Sequence, residues 1–182
     1  MIGEELWTPS DDIRQSANIT AYWHWLEQQS FESTPEVSHD YDVLWAWSVS
    51  HLEDFWKSIW DYYQVNSSAP YSRVLRRERD VYGAEWFEGA RLNYAQHALR
   101  NSSTEPALLV VSEGGTSHEV GWDELRHDAI AFAVKLRSLG VVAGDRVAAY
   151  MPNVAECVVA FLACSSLGAV WSVAAPDFGV RR

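Results

Sequence analysis

The sequence predicts an α/β chain in two parts: a helical, Trp-rich N-terminal region over residues 1–100, then the start of a parallel-sheet α/β subdomain over 101–182. Three observations predict it. Apolar residues from Leu52 to Tyr63 recur at helical spacing. After Pro106 the pattern switches to alternating strand and helix segments. The last of these, Arg146 to Ala174, read strand, helix, strand, which implies a parallel crossover with helices over both faces of a sheet.

In the first region Asn18 or Thr20 can cap a helix that carries Ile19, Tyr22, Trp23 and Leu26 on one side. Ser33, Thr34, Pro35 and Ser38 then read as a loop. Leu52, Phe55, Trp56, Ile59, Trp60 and Tyr63 define the clearest helix, and Ser50 with Glu53 supplies a capping box. Asn66, Ser67, Ser68 and Pro70 stop it. A polar, turn-rich stretch follows, in which Arg73 to Arg79, interrupted by Glu78, reads as a solvated face. A short helix is expected after Trp86, through about Leu99.

In the second region Ala107 to Ser112 is a candidate buried strand, Gly114-Gly115 turns it, and Ser117 to Gly121 pairs back as a hairpin. Leu125, Ala129, Phe132, Leu136 and Leu139 recur as a helix, with Gly140 at its left-handed stop. Arg146 to Tyr150 is the next strand; Pro152-Asn153 opens a helix from Val154 to about Leu167; Ala169 to Ala174 reads as a further strand, buried by its composition. Gly144-Asp145 makes a tight turn, Asn153 a helix cap, and Gly168 a close approach of helix to sheet.

Composition narrows the function classes. With 182 residues, 48% hydrophobic, the chain can bury one sizeable core, or one core and a small subdomain. Ten Trp and eight Tyr point to interfaces, because such rings bury a face while their polar edges seek a partner. A net charge of -11 argues against a nucleic-acid partner, which needs a clustered excess of Lys and Arg. No stretch reaches the ~18 apolar residues of a membrane span, and the N-terminus opens on Glu4 and Glu5 rather than a basic segment. A cytosolic, cytoplasmic protein is expected. Cys157 and Cys164 lie ~10 Å apart along a helix, beyond the roughly 7 Å a disulfide spans.

Catalytic patterns are sparse. His24, His39, His51, His97, His118 and His127 fall on separate elements without ligand spacing, so no metal site is assigned. Asp123 and Glu124 suit the positive end of a helix, and Ser165-Ser166 lacks a nucleophile-elbow pattern. Gly114-Gly115-Thr116-Ser117 has no Lys and reads as a hairpin turn rather than a phosphate loop. No catalytic residue is assigned.

Longer strings carry more. Trp86-Phe87-Glu88-Gly89-Ala90-Arg91-Leu92-Asn93-Tyr94-Ala95 resembles a segment of acetyl- and acetoacetyl-CoA synthetases that reads Trp-Phe-x-Gly-x-x-Leu-Asn-Tyr-Ala. The resemblance continues through Gly144-Asp145-Arg146-Val147-Ala148, Met151-Pro152-Asn153 and Leu167-Gly168-Ala169-Val170-Trp171-Ser172. Pro176-Asp177-Phe178-Gly179-Val180-Arg181 looks like the acetoacetyl-CoA branch of that adenylate-forming family. The resemblance covers the chain from about Leu6 onward.

The resemblance implies an acid–thiol ligase that activates acetoacetate with ATP and Mg²⁺ as an acyl-adenylate, then transfers the acyl group to CoA. It also implies that Ala175, Pro176, Asp177 and Phe178 lie near the CoA channel, in a loop leaving the carboxyl end of a parallel strand, where ligands gather in such sheets. The family's Lys-bearing phosphate loop has no counterpart in this sequence. The chain is therefore expected to be an incomplete N-terminal fragment, inactive by itself, holding none of these ligands tightly, and prone to self-association. Two alternatives stand beside this reading. One is a non-catalytic interaction module docking through its aromatic N-terminal region; the weaker is a stand-alone flavodoxin-like nucleotide binder, against which the absence of a phosphate loop after the first strand counts.

Overall fold

A computed structural model describes residues 6–31, 40–76 and 81–179, in two compact units, Met1–Arg91 and Leu92–Arg182.

The first unit opens with α1 (Asp11–Ser16), where the Ser10 hydroxyl accepts from the Ile13 N–H and Asp11 and Asp12 sit at the positive end of the dipole. Helix α2 (Asn18–Leu26) follows after a single extended residue, Ala17. Neither expected cap forms. Asn18 already lies inside the helix, and the Thr20 hydroxyl donates instead to the Arg14 carbonyl at 2.6 Å, which also accepts the Ala17 N–H at the end of α1. Tyr22 and Leu26 of α2 bury against Leu44 and Trp47 of α3 (Tyr41–Ser50). The loop expected at Ser33 to Ser38 lies outside the described residues.

Helix α4 (Leu52–Tyr62) lays Phe55 and Ile59 on that cluster. The expected capping box is absent: Ser50 belongs to the last turn of α3, and its hydroxyl donates to the Ala46 carbonyl at 2.7 Å. The position that should cap α4 is spent closing α3, and α4 starts at His51 with no side-chain cap. The stripe is half-buried rather than buried, with Trp56 and Tyr63 exposed. The buried residue of α4 is Ser58, whose hydroxyl meets the Tyr22 phenol at 2.5 Å and donates to the Phe55 carbonyl.

Part of the stretch from Arg73 to Arg79 is a strand. β1 (Arg73–Arg76) pairs antiparallel with β2 (Glu85–Glu88), with Leu75 opposite Trp86 and Arg76 opposite Glu85. Val74 and Leu75 are buried while the arginine ends stay exposed or half-exposed, and Arg76 forms ion pairs with Glu85 and Glu88. Much of the aromatic load is spent within this unit. Trp60 stacks on Phe87 at 4.4 Å between ring centres, Tyr71 meets both edge-on, and Trp56 meets Trp86 at 5.7 Å.

The second unit begins at α5 (Tyr94–Ala98), capped by the Asn93 side chain. β3 (Leu108–Val111) and β4 (Ser117–Val120) form the expected hairpin around Gly115, whose φ of +77° suits a residue without Cβ. β3 is not buried on both faces: Leu108 and Val110 pack on the Val120, Leu125, Ala129 and Leu162 cluster, whereas Leu109 and Val111 are 70% and 74% exposed. Helix α6 (Trp122–Ser138) ends near Gly140 at φ +92°.

β5 (Arg146–Tyr150), α7 (Ala155–Leu167) and β6 (Val170–Ala174) form the crossover, and the strands pair parallel from Arg146–Val170 to Tyr150–Ala174. Asn153 does not cap α7; Val154 takes that position with no side-chain bond. Ala133, Leu136, Ala163 and Cys164 bury between α6 and α7, with Val147 and Trp171 of the sheet packed on them. At the end of α7 the backbone passes close to Ala143: a Cβ on Gly168 would lie 3.2 Å from the Ala143 Cβ, and φ is +72°. Among the described residues the helices cover one face of this pair. β6 is not buried as its composition suggests: Arg146, Ala148 and Tyr150 alternate outward with Val170 and Ser172 on a second face that the crossover helix cannot reach, while Val173, beside Ala149, shares the face of Val147 and Trp171 and is still 45% exposed.

Candidate functional site

The carboxyl ends of β5 and β6 lie side by side, since Tyr150 and Ala174 are register partners. The chain leaves them by two loops, 151–154 and 175–179. One further backbone bond, Met151 N–H to the Ala174 carbonyl at 3.1 Å, continues the ladder past the strands. Beyond it Ala175 to Phe178 form a β-turn, closed by the Phe178 N–H on the Ala175 carbonyl at 3.0 Å, with Pro176 at the position its fixed φ favours. The Gly179 N–H then bonds the Asp177 carbonyl at 2.9 Å. The Tyr150 phenol donates to the Pro176 carbonyl at 2.5 Å.

This turn holds every residue singled out from the sequence. Ala175 is half-buried, while Pro176, Asp177 and Phe178 are exposed, the last at 69%. Tyr150 joins them here. The sequence shows it only as the final residue of a strand, and no spacing rule links it to a proline 26 positions further on. A groove of about 630 Å³ opens beside Met151, lined by Phe132, Val147 and Trp171 with Asp128 and Lys135 at its polar edge.

The two loops suit some ligand chemistry better than others. Among their described residues the one charged side chain is the Asp177 carboxylate, so they offer no cation to phosphate and a single ligand to Mg²⁺. Those groups do not fit this turn.

Elsewhere the titratable groups read as structural. Among the described residues no three His, Cys, Asp or Glu side chains gather as a metal site. Burial, and secondarily the Arg100 charge, holds the His97 imidazole below its usual range, and its Nδ1 is buried without a hydrogen bond. Burial pushes the Cys164 thiol up, which keeps it protonated and unreactive. Gly114 to Ser117 is the hairpin turn, with the Ser112 hydroxyl against that of Thr116. No helix among the described residues is long and apolar enough to cross a membrane.

A parallel strand–helix–strand unit, preceded in sequence by an aromatic helical unit, matches the N-terminal part of an acyl-CoA synthetase structure. Residues 95–182 match the model of the AMP-binding enzyme family, preceded by a match to the acetyl-coenzyme A synthetase N-terminus over 41–98.

Similar proteins include several acetoacetyl-CoA synthetases. That of Xenopus tropicalis is 39% identical over 145 residues, covering 78% of this chain and 22% of the relative. That of Rhizobium meliloti (strain 1021) is 35% identical over 174 residues, covering 96% and 26%. The solved structure of acetoacetyl-CoA synthetase from Streptomyces lividans is 43% identical and superposes with a TM-score of 0.87, over 97% of this chain and 27% of that one. The chain thus spans 22% to 27% of the length of these relatives. The resemblance read from the Trp86 to Ala95 and Pro176 to Arg181 strings holds at the level of family and branch.

Proposed function

We propose that this chain forms the N-terminal part of an AMP-forming acetoacetate–CoA ligase. In that reaction the acetoacetate carboxylate attacks the α-phosphorus of ATP and displaces pyrophosphate. The CoA thiol then attacks the acyl carbon, releasing AMP and leaving acetoacetyl-CoA. Both steps develop negative charge, and Mg²⁺ supplies part of the compensation when it is bound. The residues described here bring order rather than charge: the β5–β6 pair fixes two loops side by side, and the turn at Ala175 to Gly179 offers a surface to the CoA arm. The observation that carries the proposal is the similarity to the Streptomyces lividans enzyme, 43% identical along 97% of this chain.

On this reading the chain alone holds neither ATP nor Mg²⁺ tightly, exchanges no pyrophosphate, resides in the cytoplasm, and associates with copies of itself through apolar surface left open on the sheet.

A chimera tests the proposal. This chain replaces the matching N-terminal quarter of the Streptomyces lividans enzyme, and acetoacetate-dependent AMP release is measured with CoA present. Turnover with acetoacetate above that with acetate supports the reading; a folded chimera without it overturns the reading. Purified chain alone should give no acetoacetate-dependent exchange of pyrophosphate into ATP, and measurable exchange would refute its inactivity.

A second reading, docking of a partner through the aromatic N-terminal region, draws on α3. Tyr41, Trp45 and Val49 recur every four residues and are 63%, 56% and 53% exposed, so they form one apolar stripe. Trp45→Ser in the chimera separates the two: thioester formation falls if the stripe serves the ligase and stays at the parent level if it serves a separate partner.

A further inference from the structure

We infer that Tyr150 is a positioning residue, which fixes the turn from Ala175 to Gly179 by donating its phenolic hydrogen bond to the Pro176 carbonyl, and so presets Asp177 and Phe178 for the thioester-forming step. The inference rests on the ligase reading for its purpose, though not for its geometry.

Tyr150 ends β5 opposite Ala174, the last residue of β6, so its ring stands at the edge from which the turn departs. The side chain is 64% exposed and belongs to none of the buried clusters of its unit. Its place is not explained by packing. Its hydroxyl instead reaches Pro176, 26 residues away in sequence, at 2.5 Å.

The acceptor is apt for such a tether. In a β-turn the first residue's carbonyl closes the turn, here Ala175 to the Phe178 N–H, and the carbonyl of the second residue is left pointing outward. Pro176 occupies that second position. Its ring fixes one backbone torsion, and the bond from Tyr150 restrains the peptide group that follows. The other hydrogen bonds in the turn, Phe178 to Ala175 and Gly179 to Asp177, are local and move with it. The phenol therefore links the turn to the sheet, and a tyrosine does so with two side-chain torsions to freeze, whereas a lysine or glutamine would freeze more. Because donor and acceptor are both exposed, the bond contributes little to global stability, and its effect is the local order of the turn.

The variant Tyr150→Phe removes the hydroxyl and keeps the ring. Backbone ¹⁵N relaxation on the full chain should show the order parameters of the Asp177 and Phe178 amides falling from about 0.85 to below about 0.6, with Val147 and Trp171 unchanged. Unchanged order at Asp177 and Phe178 would overturn the inference. In the chimera the same variant should raise KM for CoA roughly threefold to tenfold, the range expected for one lost hydrogen bond, and leave acetoacetate-dependent pyrophosphate exchange at the parent rate. An unchanged KM, or an equal loss in both half-reactions, would refute the positioning role. A chimera inactive with Tyr150 in place counts against the ligase reading, and the relaxation data then decide the tether alone.

Discussion

The Asn93 side chain joins two helices: its Nδ2 donates to the Ser165 carbonyl at 3.0 Å and the Ser166 carbonyl at 3.2 Å, while its Oδ1 accepts the Gln96 N–H that opens α5. One amide thus meets two carbonyls at the end of α7, of which that of Ser165 also takes the Gly168 N–H, and a donor that helix geometry leaves open at the start of α5. This gives the Leu-Asn-Tyr-Ala string a structural reason. Asn93→Ala should cost about 1–3 kcal/mol, combining a lost cap with lost donors. Asn93→Asp keeps the cap and removes the donors, so it should fall between. Urea unfolding of the three proteins is the measurement, and equal midpoints would reject the role.

Tyr22 and Ser58 share a buried hydrogen bond between side chains in the first unit. Burial is the main cause that raises the Tyr22 phenol above its ordinary value, with the bond to Ser58 opposing and Tyr63 adding to the rise. A raised folded pKa means that the native state holds the proton longer than the unfolded chain does. The contribution is fully present below about pH 10, the unfolded value, and is lost as pH climbs through the folded one. Stability should therefore fall more steeply above pH 10 in the parent than in Tyr22→Phe. At pH 8 that variant should lose about 1 kcal/mol, because Ser58 still has the Phe55 carbonyl. Parallel pH profiles would contradict this.

Ile59 packs on the cluster of Tyr22, Leu26, Leu44 and Trp47. A carboxylate there loses its water without gaining a partner, so Ile59→Asp should cost several kcal/mol, of the order of 2–4. Thermal unfolding followed by Trp fluorescence reports mainly on this unit, which holds eight of the ten Trp. A melting temperature equal to the parent's would show that the α4 stripe is spare surface.

Self-association should appear as concentration rises. Tyr150 and Val170 are 64% and 55% exposed on the uncovered face of the strand pair, and open apolar strands invite another chain. Sedimentation velocity across a hundredfold concentration range would detect it. A monomer throughout, with no binding of a dye for apolar surface, would mean that the exposed face is tolerated in water.

The parts legible in the sequence are those where one local pattern decides. The crossover of β5, α7 and β6 has continuous apolar runs bounded by Gly144 and Gly168, and the hairpin has Gly114-Gly115 between two strands. The errors arise where residues have two uses. Ser50 fits a capping box in sequence, yet α3 runs up to it and claims its hydroxyl. Val74 and Leu75 are too few between arginines to give a period, so β1 reads as polar until β2 is placed beside it. At the candidate site, strand-then-loop order located Ala175 to Phe178. The Tyr150 phenol was invisible, because a side chain reaching across 26 residues leaves no periodic trace.

The register that sets Arg146 beside Val170 also governs how quickly the second unit can form. A parallel pair cannot close through a tight turn, so α7 and its contacts with Ala133 and Leu136 must be largely in place before the strands meet. Folding of this unit should be limited by helix docking. Trimming Ala163 in α7 to Gly would then slow refolding, whereas replacing exposed Val173 by Thr would act on the unfolding limb of the chevron. The order of assembly is written into the direction of two strands.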